Sequence, residues 1–464
     1  MDEFVSKAQD YIKLKKLIKR GDGILLACSG GPDSMALLRI LTNLQEQWDL
    51  KLGIAHLNHE IRKQAVGDCV FVRKAAIREK LPFYSKSLDI PVLAKDEGIS
   101  IEESARNHRY DFLEATAKDR GYNKIAFGHN FDDNIETIIF NIMRGCGLKG
   151  LSGIPAVRDK IIRPLLGFKK AEILSWIAVN DIEYVVDHSN EEVEYTRNRI
   201  RNRLLPYIRK NFNKDIENSI NRLSLISCEL NEFIYDETLK KIQKLTTHRD
   251  KSKIILDLRK FSKYHVALKR SVIREIVKSF SGLDHPPNFI EVDQFINFCK
   301  ISKTGKRIFP GGIVAELIGE KLVIGKSRKY KINKKITFPG IFADRKLGFT
   351  ITGEILNSVP SIGDCRTYGR DVAYFDLGKL SPPHSIRNVK AGDKMKPLGM
   401  SGHKNVMDIL SENGIPSFLK DSHLAITSGD EIAWLVGIRL SEDFKIDSNT
   451  RTVLRLEYEK RNIN

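Results

Sequence analysis

Gly23-Ile-Leu-Leu-Ala-Cys28, followed directly by Ser29-Gly30-Gly31-Pro32-Asp33-Ser34, is the stretch that decides the fold. A continuous apolar run suits a strand buried on both faces of a parallel sheet. Its end in two glycines and a proline, ahead of helical periodicity over 34–47, makes it a strand–loop–helix unit. The runs 50–55 and 124–127 repeat the apolar pattern, and each is followed by a His/Asn cluster. Helical periodicity also fills 65–79, 102–120 and 135–144. Strands alternating with helices of this length predict βαβ units and an α/β, doubly wound parallel sheet. Such sheets bind ligands at the carboxyl ends of their strands, where the Ser-Gly-Gly and His/Asn clusters fall.

Further on the pattern changes. Ile220, Leu223, Ile226 and Leu230, then Val266, Ile273 and Val277, recur at helical spacing through 216–280. Beyond Thr304, glycines and short β-branched runs at 311–317 and 321–325 predict hairpins. The stretch 326–335 has six Lys or Arg in ten residues, cannot build a core and reads as a linker. The remainder carries short strands punctuated by Pro and Gly, a helix over 405–413 and a strand at 431–437. The expected organisation is a Rossmann-like domain at 1–215, a mainly helical middle domain with β-hairpins at 216–335, and a small α+β domain at 336–464.

Composition narrows the class. The 464 residues, 41% hydrophobic and 29% charged, exclude a disulfide-stapled miniprotein, wholesale disorder and fibrous repeats. No stretch approaches the roughly 18 uninterrupted apolar residues that span a bilayer. Residues 1–20 mix acids and bases and lack the apolar core of a secretory signal, so the expectation is a soluble, cytoplasmic protein with no membrane partner. Six cysteines lie far apart without a Cys-x-x-Cys pair, which favours buried free thiols in a reducing compartment. Lysine and arginine number 77 against 59 acids, a net +18, and imply an anionic partner, most simply nucleic acid.

Chemistry concentrates at 29–34. Gly30 and Gly31 let the backbone approach an anion closely, the helix start offers unpaired N–H groups, and Ser29 and Ser34 add hydroxyl donors. The loop lacks the lysine of a Gly-x-x-x-x-Gly-Lys-Ser/Thr motif. Asp33 places a carboxylate where phosphate oxygens would sit, which calls for an intervening divalent cation. A plain N-capped turn would use the same residues structurally. Arg106 and Arg109 share a helix face. Asp133 and Glu136, also three apart, can complement a helix dipole, or hold Mg²⁺ or orient an amine beside His129.

The hexapeptide 29–34 resembles the signature of the N-type PP-loop ATP pyrophosphatases, which cleave ATP between its α and β phosphates and pass adenylate to an acceptor oxygen. Further segments in order narrow the likeness: 56–62 (His56-Leu-Asn-His-Glu-Ile-Arg62), 103–110, 128–137, Arg144-Gly-Cys-Gly147, Gly150-Leu-Ser-Gly153, Arg163-Pro-Leu-Leu166, Asp187-His-Ser-Asn190 and 195–206. With 387–399 and the pieces around Asp408, Gly414 and Trp434, they resemble the tRNA(Ile)-lysidine synthetase family.

That resemblance implies ATP and Mg²⁺ as co-substrate and cofactor, and free L-lysine and a CAU-anticodon isoleucine tRNA as partners. It leaves room for a homodimer. The implied reaction adenylates the wobble cytidine's 2-carbonyl oxygen, releases pyrophosphate, then lets the lysine ε-amine displace AMP. Residues 29–34 would bind ATP, with Asp33 and Glu136 taking the metal. His129 and Asp133 would position and deprotonate the amine. Arg109 and Arg201 would hold phosphates or the flipped cytidine. Arg197, Arg199, Arg203, Arg387, Lys394 and Lys404 would meet tRNA, although an Asn at 405 stands where the family places a lysine. A tRNA thiolase would want clustered Cys-x-x-Cys ligands, and a glutamine-dependent synthetase an amidotransferase unit. A catalytically idle RNA scaffold would not need Gly30, Gly31, Asp33, Asp133 and Glu136 together.

Overall fold

The computed structural model describes residues 2–58, 65–185, 196–250, 252–281, 287–301, 304–326, 331–344, 348–358 and 371–460. Parts of the motifs at 56–62 and 187–195, and Cys365, lie outside the described residues. The chain forms two compact units, Met1–Phe233 and Ile234–Asn464.

In the first unit the elements run α1 (Glu3–Leu14), β1 (Gly23–Ala27), α2 (Pro32–Trp48), β2 (Lys51–Asn58), α3 (Ala65–Arg78), β3 (Phe83–Ser87), α4 (Ile90–Glu97) and α5 (Ile101–Arg120). They continue through β4 (Lys124–Phe127), α6 (Phe131–Met143), α7 (Leu148–Leu151), β5 (Val157–Arg158), β6 (Ile161–Ile162), α8 (Lys170–Val179), α9 (Thr196–Arg199), α10 (Leu205–Asn211) and the first part, up to Phe233, of α11 (Ile216–Leu245). The sheet order is β3-β2-β1-β4-β6-β5, parallel except for the pairing of β5 with β6. This is the expected doubly wound sheet, and its strand order reverses between β1 and β4.

The apolar run in β1 is explained by its two covered faces. Ile24 and Leu26 pack with α1, α2, α3 and α8, while Leu25 points to the opposite face against Leu113 and Ala117 of α5. Asn123 anchors the start of β1: its side-chain oxygen accepts from Gly23 N at 2.8 Å and its amide donates to Asp22 at 2.7 Å. Helix α6 starts four residues earlier than the pattern at 135–144 suggested. Asn130 and Asp133 form a capping box that extends it.

In the second unit, helices Val266–Ser281 and Phe289–Ile301 pack on a five-stranded sheet through Val272, Ile273, Phe295 and Ile324. Helical periodicity across 216–280 is interrupted here. Thr246–Arg249 and Lys253–Asp257 are strands, and Ile254 and Leu256 are buried on one face with the two-residue alternation of a strand. The linker expected at 326–335 is also overturned at both ends. Lys326 closes the strand Lys321–Lys326, and Asn333–Ile336 pairs with His384–Asn388 in the next sheet. Charged side chains on its exposed face hid that strand: Lys334 and Lys335 are exposed while Ile336 is buried. The rest of the unit is antiparallel around Ile351, Phe375, Ile386 and Trp434, with the helix expected near 405–413 at Val406–Glu412.

The core under the β1–α2 loop sets its rigidity. Replacing fully buried Leu41 of α2 by Ala should lower unfolding free energy by about 2–5 kcal/mol. The same change at Leu14, 75% exposed, should stay within about 0.5 kcal/mol. Denaturant titration of both variants checks the contrast.

Candidate active site

The loop 29–34 leaves β1 with Gly30 in the left-handed region at φ +87°, where a side chain would also press on Val72. Gly31 is the N-cap of α2 and Pro32 its first residue, a start that needs no N–H from proline. Ser34 is buried, and its hydroxyl donates to Gly31 O at 2.9 Å. The free backbone N–H groups of the first turn therefore face the end of the sheet together with Ser29. A cavity of about 410 Å³ opens there. Its wall includes Ser29, Gly31, Asp33 and Ser34 from the loop, His56 and Asn58 from β2, Arg109 from α5, and Gly128 and His129 after β4.

The strand ends are tied across the switch point by Asn130. Its carbonyl oxygen accepts from Asp133 N at 3.0 Å, and its amide donates to Asp33 Oδ1 at 3.1 Å. Lys170, at the start of α8, donates to Asp33 Oδ2 at 2.6 Å. Asp33 thus has an ammonium partner where the sequence argued for a metal. Both carboxylate oxygens keep lone pairs for a cation bound mainly through ATP phosphates, which is how Mg²⁺ is commonly held. Glu136 does not fit a metal role. It is 3% exposed, and its oxygens take Arg201 Nε at 2.5 Å and Nη2 at 3.0 Å in a bidentate pair. Among the described residues no group of three or more His, Cys, Asp or Glu could hold a metal ion.

Arg201 also reaches Asp133 Oδ1 at 3.2 Å, while Asp133 Oδ2 accepts from Asn130 N at 3.0 Å. Burial lifts both carboxyls above their ordinary range, opposed at Asp133 by the Asn130 N–H and at Glu136 by Arg201. Asp133 and Glu136 share one side of α6 as their spacing implied, whereas Arg201, expected on phosphates or the cytidine, grips both carboxylates, and Asn130 links Asp133 to Asp33 of the cavity wall. A π-helical turn, Ile200–Leu204, carries Arg201. Ile200 and Leu205 pack on Ile135, Ile138 and Ile139 of α6, which aims Arg201 at the carboxylates. Arg197, Arg199 and Arg203 from the same run are exposed.

His129 stacks on Phe127, which in turn meets Tyr110. Its Nδ1 accepts from Arg163 Nε at 3.3 Å, and Arg163, 3% exposed, also donates to Pro155 O at 2.6 Å. Burial, followed by the charges of Arg163, Arg109, Arg197 and Arg106, pushes His129 down to about 3. It is neutral at pH 7. Cys28 also lines the cavity, and burial raises its thiol, so it is no nucleophile.

In the second unit, Arg387 differs from the expected RNA-facing role. It grips Asp393 through two bonds of 2.7 and 3.0 Å and donates to Asn388 O, fixing the loop after its strand. Lys404 pairs with Glu412, whereas Lys394 is exposed. Asn405 caps Val406–Glu412 by accepting from Met407 N at 2.8 Å, a structural reason for its departure from lysine.

Asn130, Arg163 and Lys170 were not singled out as site residues from sequence. Asn130-x-x-Asp133 is a capping-box spacing and was readable. Lys170 had no local signal, because its partner lies 137 residues earlier. Gly128 is a further case: a Cβ there would stand 3.1 Å from the backbone of Asp33 and Ser34. Gly128→Ala should push the loop away and weaken ATP binding by about 10-fold or more, given roughly 1–3 kcal/mol of overpacking strain. Nucleotide titration with unchanged affinity would contradict this placement.

Residues 5–208 match the family model of the PP-loop domain, and 384–458 match that of the TilS substrate C-terminal domain. The chain is 32% identical to the tRNA(Ile)-lysidine synthase of Caldanaerobacter subterraneus across 98% of each chain. It is 34% identical to that of Clostridium tetani across 96% of each. Against the Clostridioides difficile enzyme it is 33% identical over 98% of this chain and 99% of that one. With both domains matched and likeness running over nearly the whole length, the chain belongs to the tRNA(Ile)-lysidine synthase family.

Proposed function

We propose that this chain is a cytoplasmic ligase that joins free L-lysine to carbon 2 of the wobble cytidine in CAU-anticodon isoleucine tRNA, using ATP. One observation carries the reading: a phosphate-cradling loop and an arginine-clamped carboxylate pair meet at the switch point of one sheet, bridged by Asn130.

In the first half-reaction the cytidine 2-oxygen attacks the α-phosphorus and pyrophosphate leaves. The 29–34 backbone and the Ser29 and Ser34 hydroxyls bind the phosphates, and Arg109 of α5 adds positive charge to the cavity wall. Asp33 is the residue placed to hold Mg²⁺ on the phosphates, where the ion would supply charge neutralisation for the leaving group. Lys170 adds a second cation at the same carboxylate. In the second half-reaction the ε-amine forms a bond to carbon 2. The bond from carbon 2 to oxygen breaks, and AMP departs with that oxygen.

The attacking amine must be neutral, yet free lysine is mostly protonated at pH 7. Asp133, raised by burial, is the base that takes its proton, and Arg201 holds the Asp133 carboxylate in place. The exposed Arg197, Arg199, Arg203 and Lys394 are the proposed tRNA contacts. Three exposed arginines within residues 197–203, with Arg201 turned to the carboxylates and no acid between them, suit a phosphate backbone. Among the described residues no helix is long and apolar enough to cross a membrane.

Incubation with ATP, radiolabelled lysine and transcripts of the isoleucine and elongator methionine tRNAs tests the function. Label should enter the isoleucine transcript alone. Transfer to neither, with intact ATP binding, would overturn the substrate assignment. Asp133→Ala should abolish lysidine formation. Asp133→Asn, which keeps an oxygen for the Asn130 N–H, should lose about 100-fold or more while retaining the fold. Near-normal turnover in either variant would remove Asp133 from the mechanism.

A further inference from the structure

His129 was expected to share the deprotonation of the amine, and its hydrogen bonding argues against that role. A guanidinium has only donors and keeps its proton at any pH the fold survives. Arg163 Nε donates to Nδ1 of His129 at 3.3 Å, so Nδ1 must present a lone pair. In the neutral ring the proton then sits on Nε2. A second proton, on Nδ1, would face the Arg163 N–H directly.

Arg163 cannot readily turn away. It is 3% exposed, bonded to Pro155 O at 2.6 Å and hydrogen-bonded to Tyr110, and among the described residues it forms no ion pair with a carboxylate. The groups that face His129 reinforce the same state. Arg109 and Arg106 come from α5 and Arg197 from α9, all positive, while the Phe127 ring stacks at 5.6 Å.

We infer that Arg163 is a positioning residue that fixes His129 as its Nε2–H tautomer, so that His129 meets the substrate as a hydrogen-bond donor and never as the base. The proposal deepens the ligase reading and rests on it for the identity of the acceptor. That acceptor is an anionic or carbonyl oxygen in the cavity, of the class offered by the cytosine 2-oxygen and the α-phosphoryl group. The assignment leaves Asp133 as the proton acceptor.

The ligand-free, full-length enzyme labelled with ¹⁵N-histidine tests the tautomer independently of any lysine transfer, with His129→Gln used only to assign the signal. The expected spectrum shows an unprotonated Nδ1 and a protonated Nε2 from pH 8 to about 5. A proton on Nδ1, or a doubly protonated ring near pH 6, overturns the proposal. In Arg163→Met the ring should titrate at higher pH than in the wild type, though burial and the remaining arginines keep it below the ordinary histidine value, and it should populate both tautomers. Lysine transfer by this variant should gain an acid limb there that the wild type lacks, and Arg163→Lys, which retains a donor, should restore the wild-type profile in part. A wild-type tautomer and pH profile in Arg163→Met would overturn the role of Arg163. If Arg163→Met fails to fold, the wild-type spectrum still decides the tautomer, and Arg163→Lys decides the positioning role. If no lysine is transferred at all, the ligase reading fails while the spectra still decide the tautomer.

Discussion

The side chain of Asn130, 2% exposed, is the tie on which the site depends. One amide serves two strands at once: its oxygen starts α6 after β4, and its nitrogen holds the Asp33 carboxylate that follows β1. Because β1 and β4 are neighbours at the point where the strand order reverses, the loops after them diverge and leave a crevice. Without a link, the phosphate loop and the carboxylate helix would be positioned separately. Glycine at 128 completes the arrangement by letting the β4 end approach the Asp33 backbone closely.

Around this tie the electrostatics are divided. On one side, Asp33, Asp133 and Glu136 are balanced by Lys170 and Arg201. On the other, burial and then the charges of Arg163, Arg109, Arg197 and Arg106 keep the His129 ring neutral. On the proposed reading, an ATP triphosphate and an RNA backbone would bring the negative charge that this second side lacks. In the proposed mechanism the division would also separate two tasks, stabilising a leaving polyanion and accepting a proton from an amine, which would interfere if mixed.

Much of this was legible in the sequence where the signal was local. The β1 run, Gly30, Gly31 and Asp33 specify a strand, a loop and a helix start within a dozen residues, and the structure places them so. The pairing of Arg201 with Asp133 and Glu136 was not legible, because it joins positions 68 and 65 residues apart through a π-helical turn. Arg387 looked available for RNA because its partner Asp393, six residues on, matters only once the loop closes. The lysines of 333–336 masked a strand whose buried side is Ile336. Charge patterns mark exposed faces well, and they say little about which cation turns inward.

In the proposed reaction ATP activates the cytidine oxygen before the amine displaces it. Isoleucine tRNA carrying ¹⁸O at the 2-carbonyl of its wobble cytidine, incubated with ATP and lysine, tests this directly by mass spectrometry of the products. The ¹⁸O should leave in AMP, one atom for each lysine joined. Label that stays in the tRNA or appears in pyrophosphate would contradict it.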